Sequence, residues 1–282
     1  MNSFYFGAHV SIQNGYINAV NEINKYDGNF IQIFLTSPRS TKMKKRTDDE
    51  YIQFNKYLKK NNSKAVVHSS YLFNIGRNWE PSSWWIQGIL NELENAEKFN
   101  AYGLVIHFGK ALDLPQEKVY NNMFTSIVHI LNETKNLSIP IFMEMTAGQG
   151  TETGYDLDGV AKLFSKFDKI KNKKLRNRIG ICFDSCHAFA SGINLKSKLH
   201  VKLFFEHFNQ KINIKNLRLI HLNDSKVELG EKKDRHENIG KGKIGLNGIK
   251  HIFKFARKYK IPTILETPNY GYITEIKLLK SF

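Results

Sequence analysis

Cysteine is nearly absent from this sequence: there are two in 282 residues, Cys182 and Cys186, both within the run ICFDSCHAFASG (181–192). A disulfide framework is therefore not expected, and a reducing, intracellular setting is. Long apolar runs are also missing. No stretch reaches the roughly 18 residues a membrane-crossing helix needs, so no membrane partner is expected. The opening MNSFYFGAHVS has neither a basic segment nor a long apolar one, so no secretory signal is expected. Proline occurs only six times, and no Pro/Gly-rich or low-complexity hinge divides the chain, which points to one domain spanning residues 1–282. Negative charge is short as well. Asp and Glu number 26 against 42 Lys and Arg, a net charge of +16. Such an excess favours a polyanionic partner, nucleic acid ahead of an anionic membrane. The clusters KMKKR (42–46) and KNKKLRNR (171–178) add to it, although each alone reads as a solvated face.

Apolar residues make up 41% of the chain, enough for a sizeable core, and they recur in a pattern. Short runs rich in β-branched and aromatic residues are FYFGAHV (4–10), FIQIFLT (30–36), KAVVHS (64–69), GLVIHF (103–108), PIFMEM (140–145), IGICFDS (179–185), LRLIHLND (217–224) and TILETP (263–268). Helix-like stretches separate most of them. SSWWIQGILNELENAEKF (82–99) is one; GLNGIKHIFKFARKY (245–259), with Ile249, Ile252, Phe253 and Ala256 on one face, is another. Eight strands alternating with helices predict a single (β/α)8 TIM barrel with its active site at the C-terminal mouth.

The strand ends carry the chemistry. His68, His107, Glu144, Asp184, His221 and Glu266 fall late in the third to eighth runs, which would aim all six at one mouth. One polar residue at a strand end is usually a satisfied turn residue. Six of ligand type in succession are not explained that way. Converging imidazoles and carboxylates repel or desolvate one another unless a cation balances them. The donor set suits zinc, with manganese or iron as substitutes, and it exceeds one tetrahedral site, so more than one ion is implied. Glu144 is placed to bridge two. His187, just past Asp184, and Asp234 with His236 in KKDRHENIG (232–240), after the seventh run, would form a further site of two nitrogens and one oxygen.

Seven segments resemble, in order, the apurinic/apyrimidinic endonucleases of the endonuclease IV type: HSSYLFNIG (68–76), VIHFGKAL (105–112), MEMTAGQGTETGY (143–155), CFDSCHAFASG (182–192), LIHLNDSK (219–226), DRHENIGKGKIG (234–245) and ILETPN (264–269). With GAHVS (7–11) the likeness covers nearly the whole chain. It implies a TIM barrel with three zinc ions: one held by His68, His107 and Glu144, one by Glu144, Asp184, His221 and Glu266, and one by His187, Asp234 and His236. It further implies incision of duplex DNA on the 5′ side of an abasic site, leaving a 3′-hydroxyl and a 5′-deoxyribose phosphate, with trimming of blocked 3′ ends. Water is the nucleophile in that chemistry, so neither cysteine is needed for a covalent step. Tyr71 and Leu72 resemble residues inserted into the DNA stack, and Arg39 an inserted arginine. The loop around Arg39 and Ser69, where Asp is common, depart from the pattern. Ser69 bears on the shell that orients His68.

Other polar residues have plainer readings. His9 is expected to be hydrogen-bonded and structural. His129, His200, His207 and His251 fall in helix-like segments. AGQGTETG (147–154) lacks the spacing of a nucleotide-binding turn and reads as tight loop geometry beside Glu144. Asn223 and Lys226 either touch phosphate or shape their loop. A metal-dependent sugar isomerase on the same barrel is the alternative enzyme, but it has no use for the third trio or the positive charge. An inactive binder of abasic DNA is the alternative module, and nine intact ligand positions argue against it. A monomer is expected.

Overall fold

The computed structural model describes residues 4–38 and 46–282. In chain order the elements are β1 (Phe6–His9), α1 (Tyr16–Asn24), β2 (Phe30–Phe34), α2 (Asp48–Lys60), β3 (Lys64–His68), α3 (Trp84–Lys98), β4 (Leu104–His107), α4 (Gln116–Glu133), β5 (Ile141–Glu144) and α5 (Leu157–Phe167). The second half contains α6 (Lys173–Arg176), β6 (Ile179–Asp184), α7 (Ser185–Ala190), α8 (Lys198–Ile212), β7 (Leu217–His221), β8 (Asp224–Ser225), β9 (His236–Glu237), α9 (Gly245–Tyr259), β10 (Thr263–Leu265) and α10 (Tyr272–Lys280).

Eight of the strands close a barrel in the order β1-β10-β7-β6-β5-β4-β3-β2, with every pairing parallel. Each of the eight apolar runs contributes one strand, as the sequence predicts. The remaining two, β8 and β9, form a small antiparallel hairpin above the barrel, pairing Ser225 with His236. Helices cover the outside through their apolar faces. In α9 that face is Ile249, Ile252, Phe253 and Ala256, all buried as the periodicity requires.

Inside the barrel, side-chain alternation along each strand decides what meets at the mouth. One buried layer consists of Phe30, Val66, Val105, Phe142, Cys182, Leu219 and Ile264. Each residue of that layer stands two positions before a polar residue: Gln32, His68, His107, Glu144, Asp184, His221 and Glu266. A period of two thus stacks a polar layer directly on an apolar floor. At β1 the corresponding floor position is Gly7, where a Cβ would fall 1.8 Å from the Phe30 carbonyl oxygen, so only glycine lets β1 and β2 close there. No described helix is long and apolar enough to cross a membrane.

Candidate metal centre at the barrel mouth

His68, His107, Glu144, Asp184 and His221 are each the last residue of their strand, and Glu266 follows β10 by one residue rather than ending it. Two further positions differ from the sequence reading, His187 and His236. His187 lies not on a loop but in the six-residue helix α7. Asp184 ends β6 and also caps that helix, its Oδ1 accepting the His187 backbone N–H at 2.7 Å. Aspartate is a favoured N-cap, so the strand turns into a helix with no intervening loop and His187 is swung over the mouth. His236 belongs to the β8–β9 hairpin, which ties its loop to the end of β7.

Glu144 sits at the centre and is 1% exposed. Its Oε2 lies 3.0 Å from Nε2 of both His68 and His107. Its Oε1 lies 2.9 Å from His221 Nδ1 and 3.5 Å from His187 Nδ1. The two oxygens therefore serve different imidazoles, the arrangement expected of a carboxylate shared between two cations. His221 Nδ1 is also 3.2 Å from Glu266 Oε2. Beside this cluster, Asp234 Oδ1 is 3.2 Å from Nε2 of both His187 and His236.

An outer ring of partners fixes these side chains. His68 Nδ1 is 2.8 Å from the backbone carbonyl of Ser69, so the Ser69 main chain, not its hydroxyl, holds that ring. His187 Nδ1 is 2.8 Å from the Met145 carbonyl, and His236 Nδ1 is 3.2 Å from that of Glu266. His221 Nε2 meets Gln32 Oε1 at 2.8 Å, while the Gln32 amide nitrogen donates to Glu266 Oε1 at 2.6 Å. Asn223 donates to Asp184 Oδ2 at 2.6 Å and accepts the Glu266 backbone N–H at 2.8 Å. Fully buried, Asn223 shapes the site. Lys226 is exposed, and its backbone N–H bonds the Arg235 carbonyl across the hairpin. His9 stands at the same mouth, hydrogen-bonded as expected, its Nδ1 3.0 Å from the Gln32 amide nitrogen and 3.7 Å from Glu266 Oε1. Gln32 went unrecognised in the sequence, where its only signal is a lone amide at an inward position of FIQIFLT.

Charge balance tests whether metal ions fit. Glu144 and Asp184 are buried, Glu266 nearly so, and among the described residues no lysine or arginine pairs with any of them. Leaving an ionised carboxylate buried costs several kcal/mol, roughly, unless it is paired. Without metal, among the described residues only the histidines offset these charges. Burial alone would raise the Glu144 carboxyl, but the imidazoles of His221 and His107 outweigh it and hold it well below the usual range. Burial raises Asp184, against the opposing pull of His187 and His236. Burial would lower His187, but Asp184 and Asp234 carry it well above the ordinary value. The same contest, won by Asp234 and Asp184, raises His236 to about 9. In the metal-free protein the raised imidazoles of His187 and His236 are the cationic partners these acids favour. Nε2 of His187 and of His236, both buried, share one Asp234 oxygen at 3.2 Å, and neither completes a well-aligned hydrogen bond among the described residues. Buried nitrogens so placed suit a shared ligand.

Among the described residues five groupings have donor atoms within 4.8 Å of one another: His68, His107 and Glu144; Glu144, Asp184, His221 and Glu266; His187, Asp234 and His236; and two that take in a thiol, Cys182 with Glu144 and His221, and Cys186 with Asp184 and His236. All nine residues singled out in the sequence are thus brought together, in sets whose nitrogen and oxygen donors suit zinc-class ions. Cys182 belongs to the floor, where burial pushes its thiol up to about 12; Cys186 is likewise buried and raised to about 12. Both thiols are free and buried.

Tyr71 and Leu72 project from the loop after β3, 52% and 43% exposed. The Tyr71 ring packs 5.5 Å from that of His68 and 5.3 Å from that of His107, so it overhangs the cluster. Arg39 lies outside the described residues. In the AGQGTETG loop, Gly148, Gly150 and Gly154 all have positive φ, and a Cβ at Gly154 would fall 2.2 Å from the Phe108 ring, which is the tight geometry expected there.

Known proteins resemble the chain through its length. The family profile for AP endonuclease 2, described as a xylose isomerase-like TIM barrel, matches residues 20–282. A protein of Acanthamoeba polyphaga mimivirus that carries the name endonuclease 4 is 35% identical over 272 residues, covering 93% of this chain and 85% of that one. One of the same name from Campylobacter concisus is 34% identical over 283 residues, covering 98% of this chain and 97% of its own length. The crystal structure of endonuclease IV from Thermus thermophilus superposes with a TM-score of 0.80 at 26% identity, covering 98% of each chain.

Proposed function

The chain belongs to the AP endonuclease 2 family of xylose isomerase-like TIM barrels, and on that premise we propose that it is a zinc-dependent enzyme of base excision repair, cutting duplex DNA on the 5′ side of abasic sites. As an endonuclease it hydrolyses phosphodiester bonds. The products are a 3′-hydroxyl and a 5′-deoxyribose phosphate, and blocked 3′ ends are trimmed by the same site. The whole of residues 1–282 acts as one unit and as a monomer.

The observation that carries this reading is the divided carboxylate of Glu144, with imidazoles on both oxygens and buried acids around it that no lysine or arginine among the described residues neutralises. His68, His107 and Glu144 are assigned to one ion, Glu144, Asp184, His221 and Glu266 to a second, and His187, Asp234 and His236 to a third. When bound, zinc, or manganese or iron in its place, makes water nucleophilic near neutral pH and offsets charge on phosphoryl oxygens. The residues of the chain supply the rest. Glu144 is the catalytic carboxylate, fixing the spacing of the two halves of the cluster. Gln32 and Asn223 hold His221, Asp184 and Glu266 in orientation. Tyr71 and Leu72, with Arg39, enter the base stack and keep the sugar turned toward the mouth. The net charge of +16 draws in the phosphate backbone.

The test is a duplex carrying one tetrahydrofuran abasic analogue, incubated with and without a chelator. Chelator-sensitive cutting that leaves a 3′-hydroxyl supports the reading. Tight binding without cutting supports the inactive binder instead, and turnover of a sugar with no affinity for the duplex supports the isomerase.

A further inference from the structure

Three residues past β7, the side chain of Asp224 is fully buried with no lysine or arginine against it among the described residues. Its carboxylate is instead ringed by five backbone N–H groups. Oδ2 accepts from Gly240 at 3.0 Å and Gly242 at 3.1 Å. Oδ1 accepts from Ser225 at 2.9 Å, Ile244 at 3.0 Å and Gly245 at 3.2 Å. Successive amides converging in this way form an anion-binding concavity. Here the anion comes from the chain itself, so GKGKIG (240–245) is not free to cradle a ligand phosphate. Its glycines are required by that wrap. Gly240 and Gly245 have φ of +79° and +78°, and a Cβ on Gly242 would lie 2.5 Å from Asp224 Oδ1.

The same loop carries Asp234 and His236. A second buried acid, Glu275 of α10, holds its middle, accepting the Ile239 backbone N–H at 2.7 Å and the Asn238 amide at 3.1 Å. The hairpin pairing of Ser225 with His236 fixes the near end. Asp234 is itself partly exposed, 42% by side chain, and its own backbone N–H donates to Gln149 Oε1 at 3.2 Å. What brings it within 3.2 Å of His187 and His236 is therefore the fold of the loop rather than its own packing.

We propose that Asp224 is the positioning residue for the trio His187, Asp234 and His236: its charge folds the loop of residues 234–245 before any metal arrives and so sets the occupancy of that one site. This rests on the reading of the trio as an ion site. Asp224 touches neither ion nor substrate. It acts through the backbone, and hydrogen bonds to a charged acceptor are the strong ones.

The experiment compares full-length wild type, Asp224→Asn and Gly242→Ala. In Asp224→Asn one carboxylate oxygen is replaced by an NH2 group that faces N–H donors; the added methyl of Gly242→Ala displaces the same carboxylate from the other side. Hydrogen exchange is read first on chelator-stripped protein. Amides of residues 240–245 are expected to exchange at least about tenfold faster in both variants, from the loss of charge-assisted hydrogen bonds, with barrel amides unchanged. Zinc is then titrated back and counted by emission spectrometry. The variants are expected to hold one equivalent fewer than wild type and to retain the others. If Asp224→Asn fails to fold, Gly242→Ala is judged by the same criteria. Unchanged loop protection overturns the proposal, and so does lost protection with every ion kept at wild-type affinity. A wild-type protein that takes up no metal sinks the reading of the site instead, so the two failures are told apart.

Discussion

Glu144 Oε1 lies 2.9 Å from His221 Nδ1, with both side chains buried. The other oxygen of the same carboxylate faces His68 and His107. One side chain therefore joins the two halves of the cluster, and its removal should disconnect them. Glu144→Ala is expected to abolish incision of an abasic duplex, a loss larger than the roughly 10–100-fold seen when only an outer partner of a metal site is changed. Normal incision by this variant, measured in a gel assay under single-turnover conditions, contradicts the bridging role.

Asn223 and Gln32 supply such outer partners. Asn223→Ala removes a 2.6 Å bond to Asp184 and leaves the Glu266 backbone N–H without its acceptor. Gln32→Ala frees both His221 and Glu266. Each is expected to lower zinc affinity by about 10–100-fold while leaving the barrel folded, as read by competition with a chromogenic chelator and by circular dichroism.

Tyr71 overhangs the cluster without belonging to it. Tyr71→Ala should keep its full metal content and lose discrimination between abasic and intact duplex, by the ~1–3 kcal/mol that one aromatic stack against a base contributes. Equal binding ratios for variant and wild type, measured by fluorescence anisotropy at fixed salt, remove Tyr71 from damage recognition.

Metal uptake should release protons. His236 is raised from 6.5 to about 9 in the metal-free protein, so at pH 7 it carries a proton that a metal ion must displace. Affinity at its site is therefore expected to fall as pH drops below about 9 and to level off above it. The sign for stability runs the other way. A folded-state pKa above the ordinary value stabilises the metal-free protein below 6.5, and that contribution disappears as pH rises through about 9. Calorimetry in two buffers of different ionisation enthalpy reads the proton release directly; its absence at pH 7 contradicts the shifted histidine.

The loop after β7 exposes Lys226, Lys232, Lys233, Arg235, Lys241 and Lys243 beside the mouth. Lys243 is paired with Glu228 at 2.7 Å and Lys233 with Glu231 at 3.7 Å, whereas Lys226 and Lys241 have exposed side chains suited to phosphate. Lys226→Ala and Lys241→Ala are each expected to weaken duplex binding uniformly across sequences. Each should reduce the slope of log K against log salt by about 0.9. An unchanged slope places the loop off the DNA.

Much of this molecule is legible in its sequence because two periodicities do the work. Apolar runs at regular intervals mark the eight barrel strands. Alternation along each one puts an apolar floor residue two positions before His68, His107, Glu144, Asp184, His221 and Glu266. What is not legible lies outside those periods. A six-residue helix such as α7 is too short to show a pattern, so His187 reads as a loop residue until Asp184 is seen capping it. Gln32 meets His221 across 189 residues of chain, a pairing no local window contains. Asp224 has backbone amides as partners, and these look alike at every position but proline.

If buried acids and imidazoles at the barrel mouth hold a cluster of divalent ions, the native protein carries those ions. Plasma emission spectrometry of protein purified with no chelator present reads them out. Close to three equivalents of divalent metal per chain are expected, chiefly zinc, falling sharply in Glu144→Ala. A folded, monodisperse protein carrying less than about a tenth of an equivalent, and taking up none when zinc is restored, contradicts the cluster.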